Sequence, residues 1–189
     1  ALTGKTADRN GTELVIRRLH RERAIDVDRV RRELARRYTV IGDGFKVFVN
    51  KVQVTSKDRR LRQDCKHSWD VGTLPFGNVV DKGKGWVASG WLGVVDKASQ
   101  VDRGVDIFAR GKAVELDSMF NHKTTHIQFA RAYVVGEVHA EFLDAEEDNV
   151  STARTSVQWE SEAGSKLQEW GVKALNYVFK QWLDLQQKQ

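Results

Sequence analysis

The loop DNVSTART (148–155) places Asn149, Ser151, Thr152 and Arg154 within six consecutive positions. An amide, two hydroxyls and a guanidinium on one loop suit a phosphate oxygen, because the guanidinium fork binds phosphate in a bidentate manner and hydroxyls can complete the shell. A second set, Glu137, His139, Glu141 and Asp144, alternates as a nuclease or metal constellation would. A half-exposed strand produces the same alternation with no chemistry attached. His122 and His126 stand at helical spacing, but HKTTHIQ reads as strand or loop, which removes the geometry a shared metal needs. The sequence contains no GxxxxGK[ST], no HExxH and no GxSxG. Phosphate-cradling, zinc-protease and serine-hydrolase arrangements therefore have no support, and no metal ligand is assigned.

Charge adds a different candidate. Residues 1–66 carry 18 Lys and Arg against nine Asp and Glu, a net +9, whereas residues 67–189 carry 13 against 17, a net −4. The basic runs are RRLHRER (17–23), RVRRELARR (29–37) and KDRRLR (57–62). A basic nucleic-acid patch through Arg31, Arg32, Arg36, Arg59 and Arg60 follows from that density. The plainer reading is arginines decorating the solvent face of a helix and of strand ends.

The elements that position these residues are legible in periodicity. GTELVIRRL (11–19) alternates as a strand does. Asp26 is a candidate N-cap for an amphipathic helix along Val27, Val30, Leu34 and Tyr38, with Arg36 and Arg37 favourably placed in its last turn. FKVFVNKVQVT (45–55) predicts two short strands about an Asn50-Lys51 turn. Residues 56–83 read mostly as loop, with a strand near 67–71. KGWVASGWLGVVDKA (84–98) is a strand region in which Gly90 and Gly93 signal a bulge or a close backbone approach. RGVDIFARGKAVE (103–115) predicts a strand turning at Arg110-Gly111-Lys112. LDSMFN (116–121) suggests a short helix, and HKTTHIQFARAYVVGEVHAEF (122–142) a long strand. Ser161 then caps a final helix with Ala163, Leu167, Trp170, Ala174, Val178 and Leu185 near one face. This order spells α+β: a mixed, mostly antiparallel sheet with helices packed on one face, ending in a long amphipathic helix.

At 189 residues, with 40% hydrophobic and 30% charged residues, the chain can bury a substantial core. Cys65 is the single cysteine, which excludes an intrachain disulfide and suits a reducing, cytoplasmic setting. No apolar run approaches the ~20 residues of a bilayer span, so no membrane partner is expected. The sequence opens at Ala1 without an initiator Met, and the expectation is a fragment of a longer protein.

GTELVIRRL, the strand pair ending in VN, GWVASGWLG, GVDIFARGKAV and the polar loop follow one another in an order that resembles the GHKL (Bergerat) ATPases of the MutL, MORC-like and heat-shock-protein-90 type. The resemblance implies that residues 1–25 are the terminal strand and exit of a missing ATPase domain. It likewise implies that residues 26–189 are a transducer domain of the ribosomal-S-five type, domain-2-like. It implies a switch in which Arg154 senses the γ-phosphate of ATP held upstream, with Asn149, Ser151 and Thr152 supporting the loop and Lys112 as a secondary candidate. ATP and Mg²⁺ would belong to the full-length protein and no cofactor to the fragment, whose partner would be the upstream ATPase domain. The spacing departs from the family pattern, since one extra residue separates Asn149 from Arg154. The alternatives from other classes are a nucleic-acid module, binding DNA through the basic first third, and a homodimerisation module using Trp170, Tyr177 and Trp182.

Overall fold

The computed structural model describes residues 11–17, 24–42, 44–59, 62–98, 103–123, 131–145, 149–151 and 155–187. Helix α1 (Val27–Arg37) begins where the Asp26 carboxylate accepts the Arg29 N–H at 2.9 Å. Its apolar side, with Leu34, Ala35 and Tyr38, meets the ribbon formed by β1 (Val47–Val49) and β2 (Val52–Val54) around Ile41 and Val54. Asn50 and Lys51 join the two strands, both at left-handed φ (49° and 68°), as a two-residue hairpin turn requires.

The remaining strands are β3 (His67–Asp70), β4 (Val79–Asp81), β5 (Trp86–Val87), β6 (Ser89–Val94), β7 (Gly104–Ala109), β8 (Lys112–Ser118) and β9 (Val134–His139). β4 and β5 form a second ribbon; the others build a five-stranded sheet in the order β3-β6-β9-β7-β8. All its neighbours are antiparallel except β7 and β9, which run parallel. Gly90 answers the expectation of a close approach. It sits at φ 116°, and a Cβ there would lie 2.0 Å from the Glu137 carbonyl oxygen.

One face of the sheet presents Leu92, Val94, Val105, Ile107, Val134 and Val138 to the C-terminal helix α2 (Glu162–Gln187). That helix returns Leu167, Trp170, Ala174, Leu175, Val178 and Trp182 to the same core. The Ser161 hydroxyl accepts the Gly164 N–H at 3.0 Å and so caps its start. The opposite face carries Asp106 and Glu137, and α1 reaches it through Arg36. The α+β class, mixed sheet and terminal helix are present, but the helices address both faces rather than one. The reason is the single Asp in β7, which gives α1 a polar anchor that an apolar sheet face would not offer. No described helix is long and apolar enough to cross a membrane.

Three local expectations change. Residues 11–17 form no strand, and Leu14 and Ile16 are 71% and 63% exposed; alternation is insufficient without a neighbouring strand to complete the ladder. LDSMFN is not helical: β8 continues to Ser118 and the chain then turns through Phe120 and Asn121 at positive φ. The Ser118 hydroxyl causes this locally, donating to Glu115 Oε1 at 2.7 Å and accepting the Phe120 N–H at 3.1 Å, bonds that compete with a helix. The long strand begins only at Val134, and residues 124–130 lie outside the described residues.

Gly171 of α2 faces the Phe120 ring, and a Cβ there would stand 2.1 Å from its Cγ. Helix propensity favours alanine by about 1 kcal/mol, but overpacking costs about 1–3 kcal/mol. Gly171→Ala is expected to lose ~1–2 kcal/mol of stability in urea unfolding; a gain would show that the Phe120 ring can yield.

Candidate functional site

Asp106 interrupts an apolar strand, GVDIFA, one position out of phase with Val105 and Ile107, and so projects away from the α2 core. The parallel register sets it beside Glu137. An isolated carboxylate at such a position is costly unless paired. Arg36, in the last turn of α1, supplies the pair: its Nε donates to Asp106 Oδ2 at 2.6 Å and its Nη2 to Oδ1 at 2.6 Å. The same Nη2 reaches Asp117 Oδ1 at 2.6 Å, and the Asp117 N–H donates to Asp106 Oδ1 at 3.1 Å. Arg59 approaches Glu137 Oε1 at 3.5 Å. Arg36, Arg59, Trp91, Gly104, Asp106 and Glu137 line a cleft with about 20 Å³ of space, room for one water molecule and too small for a nucleotide.

Burial works against the Arg36 charge, but the hydrogen bonds and charges of Asp106 and Asp117 outweigh it and hold the guanidinium protonated beyond its ordinary range. Burial pushes the Asp106 carboxyl up against the pull of Arg36, and it pushes Glu137 up against the pull of Arg59. His139 stacks on Phe108 with ring centroids 5.2 Å apart, and its burial lowers its pKa, favouring neutral imidazole.

The alternating set does not converge. Glu137 lies in the cleft, whereas Glu141 accepts the Arg110 N–H at 2.5 Å and Asp144 pairs with Arg110 Nε at 3.2 Å. Among the described residues no group of three or more His, Cys, Asp or Glu is arranged to hold a metal ion. The Asp106–Glu137 pair does not fit a divalent cation as it stands, because guanidinium groups occupy that side of both carboxylates. His122 is half-buried, and His126 falls outside the described residues.

The polar loop is tied to itself. Ser151 Oγ accepts the N–H groups of Thr155 and Ser156 at 3.1 and 3.2 Å, and the Asn149 carbonyl accepts the Gln158 N–H at 2.9 Å. The Asn149 side chain is buried, with its Nδ2 lacking a partner among the described residues. Thr152 and Arg154 lie outside the described residues, as does Arg60. Lys112 opens β8 in a bridge to Tyr38. Of the basic patch, Arg31 bonds Asp28 at 3.4 Å and also Asp58, while Arg36 and Arg59 turn inward to carboxylates. Arg32 is exposed. Sequence reasoning missed the Arg36–Asp106–Asp117 group; the one signal was an aspartate inside an otherwise apolar strand, which demands a buried cation.

No protein-family model matches the chain. A curated relative, "Putative type II restriction enzyme HgiDII" of Herpetosiphon aurantiacus, is 25% identical over 165 residues, covering 76% of this chain and 27% of the relative. The chain thus spans about a quarter of the length of the curated relative it matches. That relative is named as a restriction enzyme and not as an ATPase, which overturns the GHKL resemblance. With it go the transducer assignment, the ATP-binding and MutL-like reading, and the ground for an upstream ATPase partner or a γ-phosphate sensor at Arg154. Each motif behind that resemblance was a few residues long, and a glycine-bearing strand or a polar loop before a helix serves many α+β chains for reasons of turn and capping chemistry alone.

Arg36→Ala would leave Asp106 buried and unpaired, an expected loss of about 3–5 kcal/mol by urea denaturation; a loss under about 1 kcal/mol would deny the pair its anchoring role. Glu137 yields a pH signature. Its folded value lies above the ordinary 4.5, so the folded protein holds this proton more tightly than the unfolded one, and stability is lost as pH rises from 4.5 through the folded value. Glu137→Gln removes that term. Its stability relative to wild type should therefore climb with pH across this window, and a flat difference in pH-resolved unfolding would contradict the shift.

Proposed function

We propose that this chain is a DNA-binding module of a restriction-endonuclease-like protein, the intact protein cleaving phosphodiester bonds in DNA. The observation that carries the reading is a set of outward-facing cations on α1 and the β1–β2 region. Arg29, Arg32 and Arg37 are exposed along α1, as are Lys46, Lys51 and Lys57 on and beside the ribbon. Arg37 has Glu33 at 3.6 Å, both half in solvent, a contact too weak to withhold the charge from a phosphate. The likeness to HgiDII, named as a restriction enzyme, supports DNA as the polyanion. The sequence-level alternative of a basic nucleic-acid module survives in altered form: Arg31, Arg36 and Arg59 brace the fold, and their exposed neighbours meet the backbone. Trp170 and Trp182, candidates for dimerisation, are buried in the chain's own core.

Binding of this kind releases counterions, so affinity should fall steeply with salt. Replacing Arg29, Arg32 and Arg37 together with alanine is expected to weaken duplex binding about tenfold or more at low salt and to reduce the salt slope by about two to three. Fluorescence anisotropy with a labelled duplex across a salt series measures both. An absence of duplex binding by the wild-type chain, or an unchanged slope in the triple variant, would defeat the reading.

A further inference from the structure

We propose that the β1–β2 ribbon enters the major groove of duplex DNA, turning Phe48 and Gln53 toward base edges and Lys51 toward a phosphate. The inference rests on the DNA-binding reading and assigns its sequence-sensing element. The ribbon's two faces are unlike. Val47, Val49 and Val54 point to α1 and its small core, whereas Phe48 and Gln53 are cross-strand partners on the outer face. Phe48 is 57% exposed and Phe45, just before β1, 59% exposed. Val47, Val49 and Val54 carry the ribbon's packing on the inner face, where Val52 stays 49% exposed, and the two rings lie outside that packing. Residues 44–57 contain Lys46, Lys51 and Lys57 and no acidic residue, which leaves the face complementary to a polyanion. A two-stranded ribbon matches the width of the major groove, where a glutamine can bond adenine in a bidentate manner and an apolar group can meet the thymine methyl.

The turn supplies an independent argument. Lys51 occupies the second turn position at φ 68°, a site where glycine is the favoured residue and a side chain is strained. Unlike Phe120, whose positive φ serves the core, Lys51 is exposed, so its side chain gains no packing in return for the strain. The ammonium of Lys51 stands at the ribbon's tip, the first part of it to meet a duplex.

Lys51→Gly separates folding from binding because it should move them in opposite directions. The thermal midpoint is expected to rise by about 1–3 °C, while duplex affinity falls about threefold and the salt slope drops by about one. Selection from a pool of random-sequence duplexes tests Phe48 and Gln53. The wild-type chain is expected to enrich a defined sequence, and Phe48→Ala/Gln53→Ala, checked for folding by circular dichroism, should lose about tenfold in discrimination between that sequence and the unselected pool. If the wild type binds duplex but enriches no sequence, or if the ribbon variants discriminate and bind as the wild type does, the ribbon assignment falls while DNA binding stands. If no duplex is bound at all, both fall.

Discussion

The fork of Arg36 on Asp106 is the contact on which the arrangement of this molecule depends. Among the described residues the α1–ribbon unit has a core of three buried apolar residues, Ala35, Ile41 and Val54, against the far larger core between the sheet and α2. So small an apolar patch cannot by itself fix how α1 lies across the sheet. Two parallel N–H···O bonds to Asp106, a third to Asp117 and the backbone bond from Thr39 to Gly111 at 2.9 Å define that orientation instead. Directional bonds specify angle where apolar contact specifies only proximity. The same bonds decide which arginines of the basic run brace the sheet and which remain exposed.

Much of the fold was legible because local chemistry and tertiary structure agree. Asp26 as a cap, the Asn50-Lys51 hairpin, the Arg110-Gly111 turn and the Ser161 start of α2 each follow from short-range bonds that no distant residue overrides. The failures share a different origin. Leu14 and Ile16 alternate as strand residues should, yet a strand exists only through its neighbour, and nothing within nine residues can report a neighbour. LDSMFN has helix-compatible residues, but the Ser118 hydroxyl and the bond from the Asp117 N–H to Asp106 commit it to a turn. In the basic third the charge was visible, whereas its partition was not: Arg31, Arg36 and Arg59 are chemically identical to Arg29, Arg32 and Arg37 until the fold assigns them partly buried carboxylates.

The site teaches the same lesson about spacing. Glu137, His139, Glu141 and Asp144 look convergent when written in a line. β9 ends at His139, however, and the turn of 3₁₀ helix over Glu141–Asp144 carries the later pair to Arg110 instead. A carboxylate beside another across a parallel register, as Asp106 is beside Glu137, is invisible to any motif because more than thirty positions separate them. Two arginines balance that pair and tie it to α1 and to the segment before β3. Function, on the present reading, lies in what projects from the architecture and not in its polar interior.

The place of β9 has a bearing on biosynthesis. It lies between β6 and β7, although it is the last of the described strands to leave the ribosome. Until residues 134–139 have emerged, β3–β6 and β7–β8 are two separate antiparallel pairs with open, apolar edges facing a gap. The nascent chain must therefore shield those edges through the translation of about twenty further codons after β8, and it becomes one continuous sheet only when β9 closes the gap.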